Sequence, residues 1–346
     1  MKRNIWDLSF EELSAVIQEM GEPRHRTRQI FRWLYGKQAL SFAEMTDIPA
    51  KFIKILETEF NMDNIFEEDC VRSEDGTLKF LWKLKDGSRI ESVMIPSGNR
   101  RTVCLSTQVG CKFRCPFCAS GASGFKRDLS PGEISGQIVM IQKHIEERIT
   151  NVVFMGMGEP LDNFPNLARA IRIINGEEGL SIAARKITVS TCGLVPGIEK
   201  LKNIGVQVEL SVSLHASKDK LRDVLAPVNR KYPLPELISV LRDYFEDTGR
   251  IITLEYALIK GVNDSFADAE NLAGIAKRIK AKVNLIRCNS SGAAGYEASP
   301  ERTAEQFRKK LETRGVRTTL RRSRGSDIAA ACGQLAAKKM SKNGSA

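Results

Sequence analysis

The chain has 346 residues, 42% apolar and 27% charged, which is enough to bury a large core beside a small accessory unit. No stretch approaches the roughly 20 consecutive apolar residues of a membrane span, and Met1-Lys-Arg-Asn-Ile-Trp-Asp7 is not an apolar signal segment, so a cytoplasmic protein without membrane contact is expected. Lys and Arg (53) exceed Asp and Glu (42) by 11, which favours a polyanionic partner, and eight cysteines are too sparse for a disulfide framework.

Residues 1–65 predict a small helical unit. Ser9-Phe-Glu-Glu12 is a capping box before an apolar-periodic run that stops at Gly21, and Ser41-Phe-Ala-Glu44 opens another short helix. Between them Ile30, Phe31, Trp33 and Leu34 make one apolar helical face. Residues 66–100 predict a hairpin linker, with strands at 78–84 and 90–95 joined around Asp86-Gly87.

Next comes Cys111-Lys-Phe-Arg-Cys115-Pro-Phe-Cys118. A 4Fe–4S cluster normally takes four thiolates, so a loop offering three leaves one iron open to a small molecule. A zinc site completed by Cys104 stays open as an alternative, although only Cys115 and Cys118 form the usual Cys-x2-Cys pair. Basic clusters recur along the chain, among them Arg100/Arg101, Lys112/Arg114 and Lys126/Arg127, and two of the clusters flank or interrupt this loop. RNA is therefore the leading substrate class, with ordinary solvated surface as the other reading.

From about residue 101 to 337 strands alternate with amphipathic helices. Strands are predicted at 102–106, 151–155, 186–190, 207–213, 251–258, 282–287 and 316–320, and Ser130-Pro-Gly-Glu133 starts one of the helices. Repeated strand–helix units imply an α/β fold with a parallel sheet, open or closed as a barrel, and ligand groups at the C-terminal strand ends. Gly156-Met-Gly158-Glu159-Pro160, Ser190-Thr-Cys-Gly193 and Ser213-Leu-His215 fall at such ends. Residues 338–346 predict a disordered basic tail.

The cysteine spacing, with Phe117 before the last cysteine, resembles the radical S-adenosylmethionine (SAM) superfamily. Most of the chain resembles its RlmN family of RNA methyltransferases: Arg28-Gln-Ile-Phe-Arg-Trp33, Glu91-Ser-Val-Met-Ile-Pro96, Cys104-Leu-Ser-Thr-Gln-Val-Gly-Cys111, Gly156-Met-Gly-Glu-Pro160 and Arg324-Gly-Ser-Asp-Ile-Ala-Ala-Ala-Cys332 carry the likeness. The resemblance implies a partial (β/α) barrel with an N-terminal helical domain that helps hold RNA. It also implies one 4Fe–4S cluster on Cys111, Cys115 and Cys118, and two SAM per turnover contacted by Gly158, Glu159, Ser190, Ser213, Leu214, His215 and Asn289. The implied reaction methylates C2 of adenosine 2503 in 23S ribosomal RNA and of adenosine 37 in some transfer RNAs. In that scheme Cys332 becomes S-methylcysteine, Glu91 accepts the C2 proton, and Cys104 resolves the RNA–protein adduct by forming a disulfide with Cys332. A flavodoxin or ferredoxin would supply electrons to a monomeric enzyme. A related C8-adenosine methyltransferase and a non-catalytic zinc-containing RNA-binding module are the alternatives. Cys70, Cys192 and Cys288 are assigned to packing.

Overall fold

Seven parallel strands follow one another in chain order across one sheet, at Arg100–Cys104, Asn151–Phe154, Ile187–Thr191, Glu209–Ser213, Thr253–Leu258, Lys282–Arg287 and Thr318–Arg321. The computed structural model describes residues 2–289 and 295–336, so the predicted tail at 338–346 and the last predicted core residue, 337, lie outside the described residues. Each parallel step is bridged by helical chain, as a parallel connection requires. All six residues of Thr253–Leu258 are buried, as expected of a strand covered on both faces. The helix Pro131–Ile145 begins as its sequence predicts: Ser130 Oγ accepts from Glu133 N, Glu133 caps Ser130 N in return, and Pro131 fills the first turn. Such a cap contributes about 1 kcal/mol.

The region 66–100 is part of this sheet rather than a separate linker. Three antiparallel strands, Phe66–Arg72, Leu78–Lys83 and Arg89–Ser97, continue it beyond Arg100–Cys104 to make ten strands. The additional strand, Phe66–Arg72, carries Glu67, Glu68 and Asp69 at an edge with no fully buried residue, so it lacks the apolar alternation that marks its neighbours. The two edge strands of the sheet are not paired with each other. The gap between them is spanned by residues 324–336, here called the strap. Ser73 Oγ and Glu74 N donate to Asp327 (2.7 and 3.2 Å), Gly325 N donates to Asp75 (3.1 Å), and Lys79 Nζ donates to Ala329 O (3.3 Å).

The N-terminal unit contains Phe10–Glu19, His25–Phe31 and Ala50–Glu59, with the predicted capping box at Ser9 in place. The second predicted start yields only a single 3-10 turn, Phe42–Glu44. At Arg32–Gly36 the helix widens into a π-turn, with Trp33, Leu34 and Tyr35 all buried. The core of this unit is continuous with that of the barrel: Trp6 packs so closely on Gly132 that a Cβ there would lie 2.6 Å from Trp6 Cβ, and Asp7 accepts from Gly132 N at 2.9 Å. No helix among the described residues is long and apolar enough to cross a membrane.

Candidate active site

The three loop cysteines sit at the C-terminal mouth of the parallel strands, as the strand–helix pattern implies. A short ribbon, Gln108–Gly110 against Phe125–Asp128, frames the loop, and Cys111 N donates to Gly124 O at 3.0 Å. Cys111, Cys115 and Cys118 line a cavity of about 180 Å3 together with Gly158, Glu159, Ser190, Ser213, His215, Asn289 and Cys332. Burial pushes the Cys111 thiol up to about 12 and raises Cys115 as well, with Cys118 adding to both. Binding metal would therefore release protons from this loop. Among the described residues no group of three His, Cys, Asp or Glu side chains could hold a metal ion on its own. Cys104, the fourth ligand of the zinc alternative, lines a different cavity. Three thiols facing a polar-lipped cavity are a donor set that fits a cluster with one open iron.

Glu159 is buried, and burial raises its pKa. Its oxygens accept from Leu161 N (3.1 Å) and Cys192 N (2.8 Å), leaving lone pairs for a ligand ammonium. Gln108 aims this turn: its Oε1 accepts from Glu159 N at 2.9 Å while its Nε2 donates to Asp128 and Asp162. Gly158 has φ +94°, and a Cβ there would lie 2.5 Å from Gln108 Cβ. Gly158→Ala should lower stability in a denaturant melt by about 2–4 kcal/mol, from left-handed strain plus overpacking.

His215 is buried with φ +57°, a conformation that aims its ring at the loop, where it meets Phe117 edge-on at 4.8 Å. Its Nδ1 accepts from Ala257 N at 3.0 Å, and burial followed by the Arg222 charge lowers its pKa to about 3. The ring is therefore neutral, with its proton on Nε2. Arg222 is fully buried and ties two strand ends together by donating to Leu214 O, Ser213 O and Cys192 O. Gly193 leaves room for that guanidinium, since a Cβ there would lie 2.8 Å from Arg222 Nη2.

Two expected residues are not brought into the cavities. Leu214 is packed in the core, its N donating to Glu255 O and its carbonyl occupied by Arg222, so its side chain offers no cofactor contact. Glu91 is buried away from both cavities, 3.6 Å from Lys79 Nζ, and accepts Ala336 N of the strap at 2.7 Å. Conversely, Cys192 and Cys288, expected only to pack, line the cysteine cavity.

A second cavity of about 90 Å3 adjoins the first. Val93, Ile95, Met155 and Ile286 give it apolar walls, Arg321, Arg322 and Arg324 a cationic rim, and Cys104 and Cys332 its thiols. Cys332 and Asn289 line both cavities. Burial raises the Cys104 thiol to about 12, with the adjacent Cys332 as the next cause. Backbone bonds set the strap at this junction: Asn289 Nδ2 donates to Cys332 O (3.3 Å), Ala119 N to Gly333 O (2.8 Å) and Ser120 Oγ to Leu335 O (2.7 Å). Of this rim, Arg324 pairs with Asp75 (3.8 Å), and many basic residues elsewhere also pair with carboxylates, among them Lys112 with Asp162, Arg127 with Glu133, and Lys310 and Arg314 with Glu270.

Residues 105–273 match the family model of the radical SAM superfamily, and residues 3–61 match that of the ribosomal RNA large subunit methyltransferase N-terminal domain. A "Probable dual-specificity RNA methyltransferase RlmN" of Geobacillus thermodenitrificans is 43% identical over 338 residues, covering 97% of this chain and 93% of the relative. Its namesake in Halalkalibacterium halodurans is 44% identical over the same shares. The crystal structure of a radical SAM methyltransferase from Sphaerobacter thermophilus superposes with a TM-score of 0.92 at 43% identity, covering 97% of this chain and all of that one. Family models, near-full-length relatives and a solved structure of the same fold agree: this chain belongs to the RlmN family of radical SAM RNA methyltransferases.

Proposed function

We propose that the chain methylates C2 of adenine at adenosine 2503 of 23S ribosomal RNA and at adenosine 37 of some transfer RNAs. It is an enzyme of RNA adenine methylation that uses a 4Fe–4S cluster and two SAM per turnover. Cluster and SAM together supply the methyl group and the one-electron chemistry that opens an unreactive C–H bond. The observation that carries the reading is the position of Cys332 on the wall shared by two cavities, one holding the three-cysteine loop and the other holding Cys104 under an arginine rim.

Cys111, Cys115 and Cys118 would hold the cluster, with Gly158, Glu159, Ser190, Ser213, His215 and Asn289 around SAM. Cys332 takes a methyl group by displacement and becomes S-methylcysteine. Loss of a hydrogen atom from that methyl leaves a carbon radical that bonds to adenine C2, an electron-poor carbon that cannot attack the methyl of SAM directly, and the unpaired electron this puts on the ring leaves through the one-electron couple that the cluster would supply. Glu91 takes the C2 proton, a role that requires it to be released from Ala336 of the strap. Cys104 then loses its proton and attacks the sulfur of Cys332: the sulfur–carbon bond breaks, its electron pair stays on the carbon, which takes up a proton to become the methyl group, and methylated RNA leaves behind a Cys104–Cys332 disulfide.

Arg321, Arg322 and Arg324 favour an RNA strand at the second cavity, and the helical unit at 1–65 supports a further RNA contact. A monomer fed electrons by a flavodoxin or ferredoxin, in a cytoplasm that keeps its thiols reduced, completes the reading. The test is anaerobic reconstitution with SAM, reductant and each RNA, followed by mass mapping of the product adenine. A methyl on C2 supports the reading, whereas a methyl on C8, or on neither carbon, contradicts it.

A further inference from the structure

Glu255 is the third residue of the fully buried strand Thr253–Leu258, and its side chain lines the cavity that holds the three cysteines, Glu159 and His215. In the sheet register it lies between Ser213 and Asn284. Its Oε1 accepts from Asn284 Nδ2 at 3.0 Å and from Ser211 Oγ at 3.4 Å. Its Oε2 is closed off from solvent and has no hydrogen-bond partner among the described residues. An unpaired carboxyl oxygen inside a barrel is costly, and buried polar groups are otherwise almost always bonded. Burial raises the Glu255 pKa, with Arg321 as the leading opposing influence.

We infer that Glu255 is a ligand-binding residue whose Oε2 accepts a hydrogen bond from an O–H or N–H of an adenine nucleoside in this cavity. The inference rests on the proposed function for what enters the cavity. It adds a residue to the site on independent grounds, the orphaned oxygen. Ribose hydroxyls and the exocyclic amine are the donors such a nucleoside offers, and both SAM and the target adenosine carry them.

Glu255→Gln is the discriminating variant. Its amide can keep Oε1 bonded to Asn284 and Ser211, while a donor replaces the acceptor at Oε2. Cluster-loaded full-length protein should be titrated with S-adenosylhomocysteine in one arm and with the substrate RNA in the other. Affinity in one arm should fall about 10- to 100-fold, the usual effect of leaving a buried hydrogen-bond donor unpaired. A loss in the first arm assigns Oε2 to the cofactor, and a loss in the second assigns it to the target adenosine. The melting temperature without ligand should hold, because the amide keeps the Oε1 contacts to Asn284 and Ser211; a residue with only a structural role would instead lower it. Glu255→Asp, which keeps a carboxyl group but withdraws the acceptor, should weaken the same arm. If both variants bind both ligands within about twofold of the unaltered protein, the assignment is overturned and the proposed function still stands.

Discussion

Replacing Cys332 with Ala should bring RNA methylation down to background while the iron content of the protein stays unchanged. The neighbouring thiols cannot substitute for it. Cys118 belongs to the loop that would hold the cluster, and Cys104 lines only the second cavity, whereas Cys332 lines both. The loss should be chemical rather than structural, because the strap is held by backbone atoms of Cys332, Gly333 and Leu335 and by Asp327, none of which the substitution removes. Cys332 is exposed, so trimming its sulfur should change stability by no more than about 0.5 kcal/mol. Mass analysis of the RNA, an iron assay and a thermal melt on the same preparation check the three parts. Methylation at the normal level would remove the methyl carrier from the mechanism.

Cys104→Ala should have an effect of similar size and opposite appearance: RNA is consumed but remains covalently joined to the protein through Cys332. Cys104 ends the strand Arg100–Cys104 and shares the second cavity with Cys332, close enough that Cys332 bears on the Cys104 thiol. Without it, no thiol in that cavity is left to attack the Cys332 sulfur. A band of protein-linked RNA on a denaturing gel, absent in Cys104→Ala/Cys332→Ala, is the expected readout. The pH dependence has a definite sign. Burial holds the Cys104 thiol near 12, so its thiolate fraction grows about tenfold per pH unit across the neutral and mildly alkaline range. Release of methylated RNA by the unaltered enzyme should therefore accelerate with pH wherever this step limits turnover.

Much of this architecture was legible in the sequence because its strands are apolar, β-branched runs bounded by turn residues. Lys282–Arg287 has its predicted limits, and Asn151–Phe154 is one residue shorter than expected. The cysteine spacing and the polar strand ends at Gly158, Ser190, Ser213 and His215 converge on one cavity as a parallel sheet requires. What could not be read depends on contacts between distant segments. The acidic edge strand Phe66–Arg72 has no apolar face to betray it, and the ribbon at Gln108–Gly110 is too short to show a period. Arg222 and Glu255 look like surface charges in sequence, yet neighbouring strand ends and strands bury both of them. The strap brings Asp327 to Ser73 across most of the chain, which local patterning cannot foresee. Ala336 N on Glu91 is likewise a tertiary contact, and it is why the expected proton acceptor lies outside the cavities.

The sharpest test of the central claim, that a three-thiolate cluster with an open iron drives the chemistry, is to assay iron, acid-labile sulfide and RNA methylation in parallel on protein reconstituted anaerobically to graded extents. Fully loaded protein should contain about four irons and four sulfides per chain, with methylation rising in proportion to cluster content and vanishing at zero. Full methylation by protein free of iron and sulfide would contradict it.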